Sequence, residues 1–269
     1  MMLVYKAYIV LVAWVQMVQT QCTEVCTCAE KELRCQDNLL KDVPREIPKE
    51  TTIIYLNNNQ IKSIDNNTWQ GLHNVEQLLM PQNKIETLES NDFEGLTALK
   101  VLNLYDNLIR SIAADIFKGT RYIEYINLSN NQLVEIGEHV FSNLTNLRTL
   151  MFANNSIQSV AAKAFHGLKS LEILILHQNQ IFKLDPTVLS SLTSLTNLTL
   201  SVNSIALLPN QIFQTLTALK MLRLDGNKFT YFNKTLFANM TSVVDLNLAR
   251  NKVASVQAGF LENLHSLRS

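Results

Sequence analysis

An asparagine recurs every 24 residues along most of this chain: Asn59, Asn83, Asn107, Asn131, Asn155, Asn179, Asn203, Asn227 and Asn251. A period that never slips admits few folds. A unit this short cannot bury its own apolar face, so successive units must stack and share one core. The positions five and three residues before each asparagine are apolar in all nine units, from Ile54 and Leu56 to Leu246 and Leu248. The position eight before is apolar in every unit but the first, where Thr51 stands, and the position two after runs from Ile61 to Val253. Spacing of two around the central residues is strand periodicity with one face buried. Ten residues after each asparagine comes Trp69, Phe93, Phe117, Phe141, Phe165, Leu189, Phe213, Phe237 or Leu261. Side chains of this size at a fixed period must land in register from one coil to the next.

The asparagine itself reads as scaffold. A tight turn after a short strand strands backbone N–H and C=O groups, and an Asn side chain supplies both donors and an acceptor to satisfy them. Removing one leaves buried polar groups unpaired, at roughly 1–3 kcal/mol each.

The unit L-x-x-L-x-L-x-x-N-x-L resembles the leucine-rich repeat family in its typical 24-residue form, over about residues 33–269. The resemblance implies an α/β repeat solenoid: a right-handed arc with a parallel β-sheet on its concave face and an irregular convex side of turns and 3₁₀ pieces.

The chain divides into four expected segments. Residues 1–21 read as a secretory signal peptide: Lys6, an apolar run from Ala7 to Val18, and cleavage near Thr20 or Gln21. Residues 22–50 hold all four cysteines, Cys22, Cys26, Cys28 and Cys35, whose spacing and compartment favour disulfides over zinc. Four cysteines leave three connectivities open. The segment is similar to the N-terminal caps of extracellular leucine-rich repeat proteins, which implies Cys22–Cys28 and Cys26–Cys35. Residues 51–266 form nine repeats, and Leu267 opens a tenth at residues 267–269. An array stopping there reads as a fragment, as an end covered by a partner or by self-association, or as a frayed end.

Catalytic signatures are missing: there is no phosphate loop, dinucleotide fingerprint, nucleophile elbow or H-E-x-x-H. The five histidines, His73, His139, His166, His177 and His265, are scattered without metal spacing. No enzyme, cofactor or metal site is expected, and 23 basic against 23 acidic residues form no stripe suited to nucleic acid. No segment after the signal is apolar enough to span a bilayer.

The outward positions of the strands are free to carry function. They place Tyr55, Leu79, Val101, Tyr105, Tyr125, Met151, Ile173, Ile175 and His177 on the concave face of the first six repeats, where polar residues are expected. Apolar and aromatic residues there point to a protein-binding surface. Lys220, Arg223, Asp225, Asp245 and Arg250 form a mixed patch further on, read as internal salt bridging. Sequons begin at Asn66, Asn127, Asn143, Asn154, Asn197, Asn233 and Asn239. Asn127 and Asn197 are expected on the concave face, where a glycan on Asn127 would divide the apolar surface. The expected activity is recognition of an extracellular protein or a microbial surface ligand, as in immune, adhesion or receptor ectodomains. The alternative is a structural matrix protein, against which the uniform repeat length argues.

Overall fold

The computed structural model describes residues 20–21, 25–65 and 67–267. The expected signal segment up to residue 19, Cys22 and Asn66 lie outside them. In chain order the strands are β1 (Thr20–Gln21), β2 (Thr27–Ala29), β3 (Glu32–Arg34), β4 (Ile53–Tyr55), β5 (Gln77–Leu79), β6 (Thr87–Leu88), β7 (Val101–Asn103), β8 (Ser111–Ile112), β9 (Tyr125–Asn127), β10 (Glu135–Ile136), β11 (Thr149–Met151), β12 (Ser159–Val160), β13 (Ile173–Ile175), β14 (Asn197–Thr199), β15 (Met221–Arg223) and β16 (Asp245–Asn247).

Twelve of them make one sheet in the order β1-β2-β3-β4-β5-β7-β9-β11-β13-β14-β15-β16. Pairing is antiparallel from β1 to β3 and parallel from β3 onward. The register is that of the 24-residue period: Leu78 faces Leu102, Leu102 faces Ile126 and Ile126 faces Leu150. In each repeat strand up to β15 the middle residue is fully buried. Leu246, in the middle of β16, is half-buried. One continuous core runs under the sheet, as stacking units require.

The asparagines form the expected ladder. Asn155 is representative: its Nδ2 donates to Leu128 O at 3.0 Å in the repeat before and to Phe152 O at 3.1 Å in its own. Its Oδ1 accepts from Leu133 N at 3.0 Å. The same pattern repeats from Asn83 to Asn251, and Asn59 starts it by donating to Cys35 O at 2.8 Å. The residue before each ladder asparagine has a left-handed backbone, from Asn58 (φ 57) to Arg250 (φ 55). At this position Val202 (φ 54) is an outlier, because a β-branched residue fits the left-handed region poorly.

The convex side departs from expectation in detail. Among the described residues it has no 3₁₀ helix, only turns and two ribbons, β6–β8 and β10–β12. Its i→i+3 bonds, such as Gln70 N to Asn67 O and Leu72 N to Trp69 O, skip residues and so do not propagate into a helix. The aromatics stack as their period requires: ring centroids of Phe93 and Phe117 are 6.0 Å apart, and those of Phe117 and Phe141 are 5.6 Å apart.

At the N-terminal end Cys26 pairs with Cys35, and together with Leu33 they are buried against the first repeat. Cys28 is also disulfide-bonded, while its expected partner Cys22 lies outside the described residues.

Candidate functional site

Parallel pairing at a fixed period turns the outward residues into columns. Ile53, Gln77, Val101, Tyr125, Thr149 and Ile173 are successive partners, as are Tyr55, Leu79, Asn103, Asn127, Met151 and Ile175. The structure therefore brings Tyr55, Leu79, Val101, Tyr125, Met151, Ile173 and Ile175 onto one open face, each half-buried between its neighbours. His177 and Tyr105 stand in the next column out, and Tyr105 is the most exposed of the set, at 36 %.

These side chains are tied to the scaffold and to one another. Asn103 and Asn127 each accept from the backbone N–H two residues on, at Tyr105 (3.1 Å) and Ser129 (3.0 Å). Tyr105 Oη accepts from Asn130 Nδ2 at 2.8 Å, and Tyr125 Oη lies 3.5 Å from the Met151 sulfur. Positions fixed this way lose little rotamer freedom when a partner docks. At the β3 edge of the face the Arg34 guanidinium sits over the Tyr55 ring, 5.6 Å from its centroid, and is ion-paired with Glu32 at 2.6 Å. Burial lowers the His177 pKa, and the nearby Asp225 carboxylate partly offsets this.

The mixed patch is internally paired in part. Arg223 binds Asp245 at 2.5 Å, and Ser201 Oγ donates to Asp225 at 2.6 Å. Asn127 is only 9 % exposed, whereas Asn143, Asn154 and Asn239 are exposed and Asn197 and Asn233 are half-buried.

The sequence reading missed a second apolar surface. Phe182, Val202, Leu207 and Tyr231 are exposed on the flank that follows the strands, three to four residues after the ladder asparagine or just before it. The stretches 178–184, 202–208, 226–232 and 250–256 also carry Lys183, Lys228, Arg250 and Lys252 and no carboxylate. Aligning the columns beyond the strand would have revealed it; the strand periodicity alone does not reach that far. Among the described residues no cluster of His, Cys, Asp and Glu could hold a metal ion, and no helix is long and apolar enough to cross a membrane.

Comparison with known proteins agrees with this geometry. Human Leucine-rich repeat-containing protein 3B is 34 % identical over 89 residues, covering 32 % of this chain and 34 % of that protein. Epiphycan from Mus musculus is 31 % identical over 80 residues, covering 30 % and 24 %. The matched region thus spans about a third or less of these relatives. A chain of the Drosophila Toll - Spatzle complex in its glycosylated form superposes with a TM-score of 0.83 at 26 % identity, over 88 % of this chain and 32 % of that one. A chain of the octameric complex of Latrophilin 3, Unc5D and FLRT2 gives 0.72 at 26 % identity, over 91 % and 82 %. The Leucine rich repeat family profile matches overlapping stretches that together run from residue 49 to 253. With its ladder, its register and this match, the chain belongs to the leucine-rich repeat family.

Proposed function

We propose that this chain is an extracellular recognition module that binds a protein or microbial surface ligand on its concave face, between β4 and β13. The observation that carries the reading is the uncovered double column of Tyr55, Leu79, Val101, Tyr125, Met151, Ile173 and Ile175, rimmed by Tyr105, His177 and Arg34. Aromatic and Arg side chains set among apolar ones are the composition of binding hot spots. The Cys26–Cys35 disulfide supports an oxidising compartment. The likeness to chains of the Toll - Spatzle and Latrophilin 3–Unc5D–FLRT2 complexes supports protein ligands.

The matrix alternative draws on the partial likeness to Epiphycan. It predicts binding to fibrillar matrix components that survives changes to the concave face.

The test is a screen of the tetramerised chain against a panel of extracellular proteins and microbial surface preparations. Each hit is then measured against the variant Tyr105→Ala plus Ile175→Ala. Loss of at least about tenfold in affinity is expected. An unchanged affinity moves the interface elsewhere.

A further inference from the structure

Leu207 is 69 % exposed, and Tyr231 stands beside it in the next repeat, with the two segments joined by the Lys228 N to Ile205 O hydrogen bond. Together with Leu236, Asn210 and Asn233 they wall a hollow of about 180 Å³. Apolar walls open to water are unfavourable unless something covers them.

The hollow has a covalent attachment point at its edge. Asn233 begins the sequon Asn233-Lys234-Thr235. Its Oδ1 accepts from Thr235 N at 2.9 Å and from Thr235 Oγ1 at 3.0 Å. Its Nδ2 donates one hydrogen to Asn210 Oδ1 at 3.2 Å, which leaves the second amide hydrogen replaceable. Tyr231, two residues earlier, is exposed. The corresponding residues of the three sequons whose asparagine is exposed, Phe141, Phe152 and Phe237, are buried in the core. Tyr125 holds that place for Asn127, but there the asparagine itself is buried.

We propose that this hollow seats an N-linked glycan on Asn233, with the first N-acetylglucosamine lying over Tyr231 and Leu207. Attachment forms a bond from Nδ2 to the anomeric carbon of an oligosaccharide delivered on a lipid diphosphate. The diphosphate departs with the anomeric oxygen, and Nδ2 loses one proton. The remaining N–H still serves Asn210. The C–H face of the sugar meets the electron-rich face of the Tyr231 ring, and its hydroxyls stay in water. The glycan thus acts as a covering part of the fold on this flank. The inference rests on the extracellular reading above.

Four versions of the full chain, secreted from a mammalian cell line, test it: wild type, Asn233→Gln, Tyr231→Ala and the double variant. Glycopeptide mass spectrometry reads occupancy at each sequon. Asn233 is expected to be occupied, and Asn233→Gln to lower Tm by about 2–4 °C. In the Tyr231→Ala background the same change is expected to have almost no effect, a non-additivity diagnostic of contact. Repeating the cycle on chains made under a glycosylation inhibitor should abolish that coupling, which separates the sugar from the Asn233–Asn210 hydrogen bond. A bare Asn233 beside occupied sequons overturns the proposal, and so do additive effects or coupling that survives the inhibitor. A chain that is neither secreted nor glycosylated at any sequon defeats the extracellular reading first, and this proposal with it.

Discussion

At the scale of single residues, the ladder asparagines are fixed by what their loss would strand. Replacing Asn155 with Ala strips Leu133 N of its acceptor inside the core and takes one of two donors from each of Leu128 O and Phe152 O, which keep Asn131 and Asn179. We expect Asn155→Ala to cost about 1–3 kcal/mol in urea unfolding. Asn251→Ala should cost less, because two of its acceptors lie in half-exposed surroundings. Asp92 is the counter-example. It takes a column held by apolar residues in most repeats, such as Ile116, Val140 and Ile212, yet it is only 3 % exposed. Burial pushes its pKa up to about 6, with Glu89 adding repulsion and the bond from Glu89 N opposing both. A carboxyl whose folded pKa is raised stabilises the fold below its unfolded pKa, and that contribution is lost as pH rises through about 6. Asp92→Asn keeps the acceptor for Glu89 N and removes the charge. Urea unfolding of this variant should show less loss of stability between pH 4 and pH 7 than wild type, by up to about 3 kcal/mol. Asn127 is only 9 % exposed and its Oδ1 accepts from Ser129 N, so glycopeptide mapping is expected to find it bare even where Asn143 or Asn154 is occupied.

At the scale of elements, the nine repeat strands of the concave sheet were legible in the sequence, whereas the cap strands β1–β3 and the convex ribbons were not, and the turns only partly. Period two around Leu102 and Leu104 defines a strand whose centre is buried, and the 24-residue spacing sets its register. The columns of the concave face follow from those two facts alone. The convex side does not, because its turns depend on where the backbone of one coil meets that of the next. Gly95 shows this: it has φ 98, and a Cβ there would sit 2.5 Å from Trp69 O. Gly119, one repeat later, meets nothing within 4 Å. Gly95→Ala should therefore cost about 2 kcal/mol or more in thermal unfolding, while Gly119→Ala should be neutral or slightly stabilising. Nothing in the local sequence separates the two. The exposure of Phe182, Val202 and Leu207 was hidden for the same reason: their columns lie past the strand, where side-chain direction is set by the turn.

At the scale of the whole molecule, uniform stacking leaves one broad, uncovered sheet face. A scaffold of this kind separates stability, carried by the ladder and the core, from recognition, carried by outward residues that the core does not constrain. That separation is why the candidate surface could be read from the sequence while the ligand could not. It also gives the account its most direct test, hydroxyl-radical footprinting of the chain alone and bound to a partner from the extracellular screen. Tyr, Phe, Met and His side chains report well, and they include Phe182 on the flank as well as residues of the concave face. Tyr105, Tyr125, Met151 and His177 are predicted to become protected in the complex while Phe182 reacts as before. Protection of Phe182 with an unchanged concave face would contradict the account.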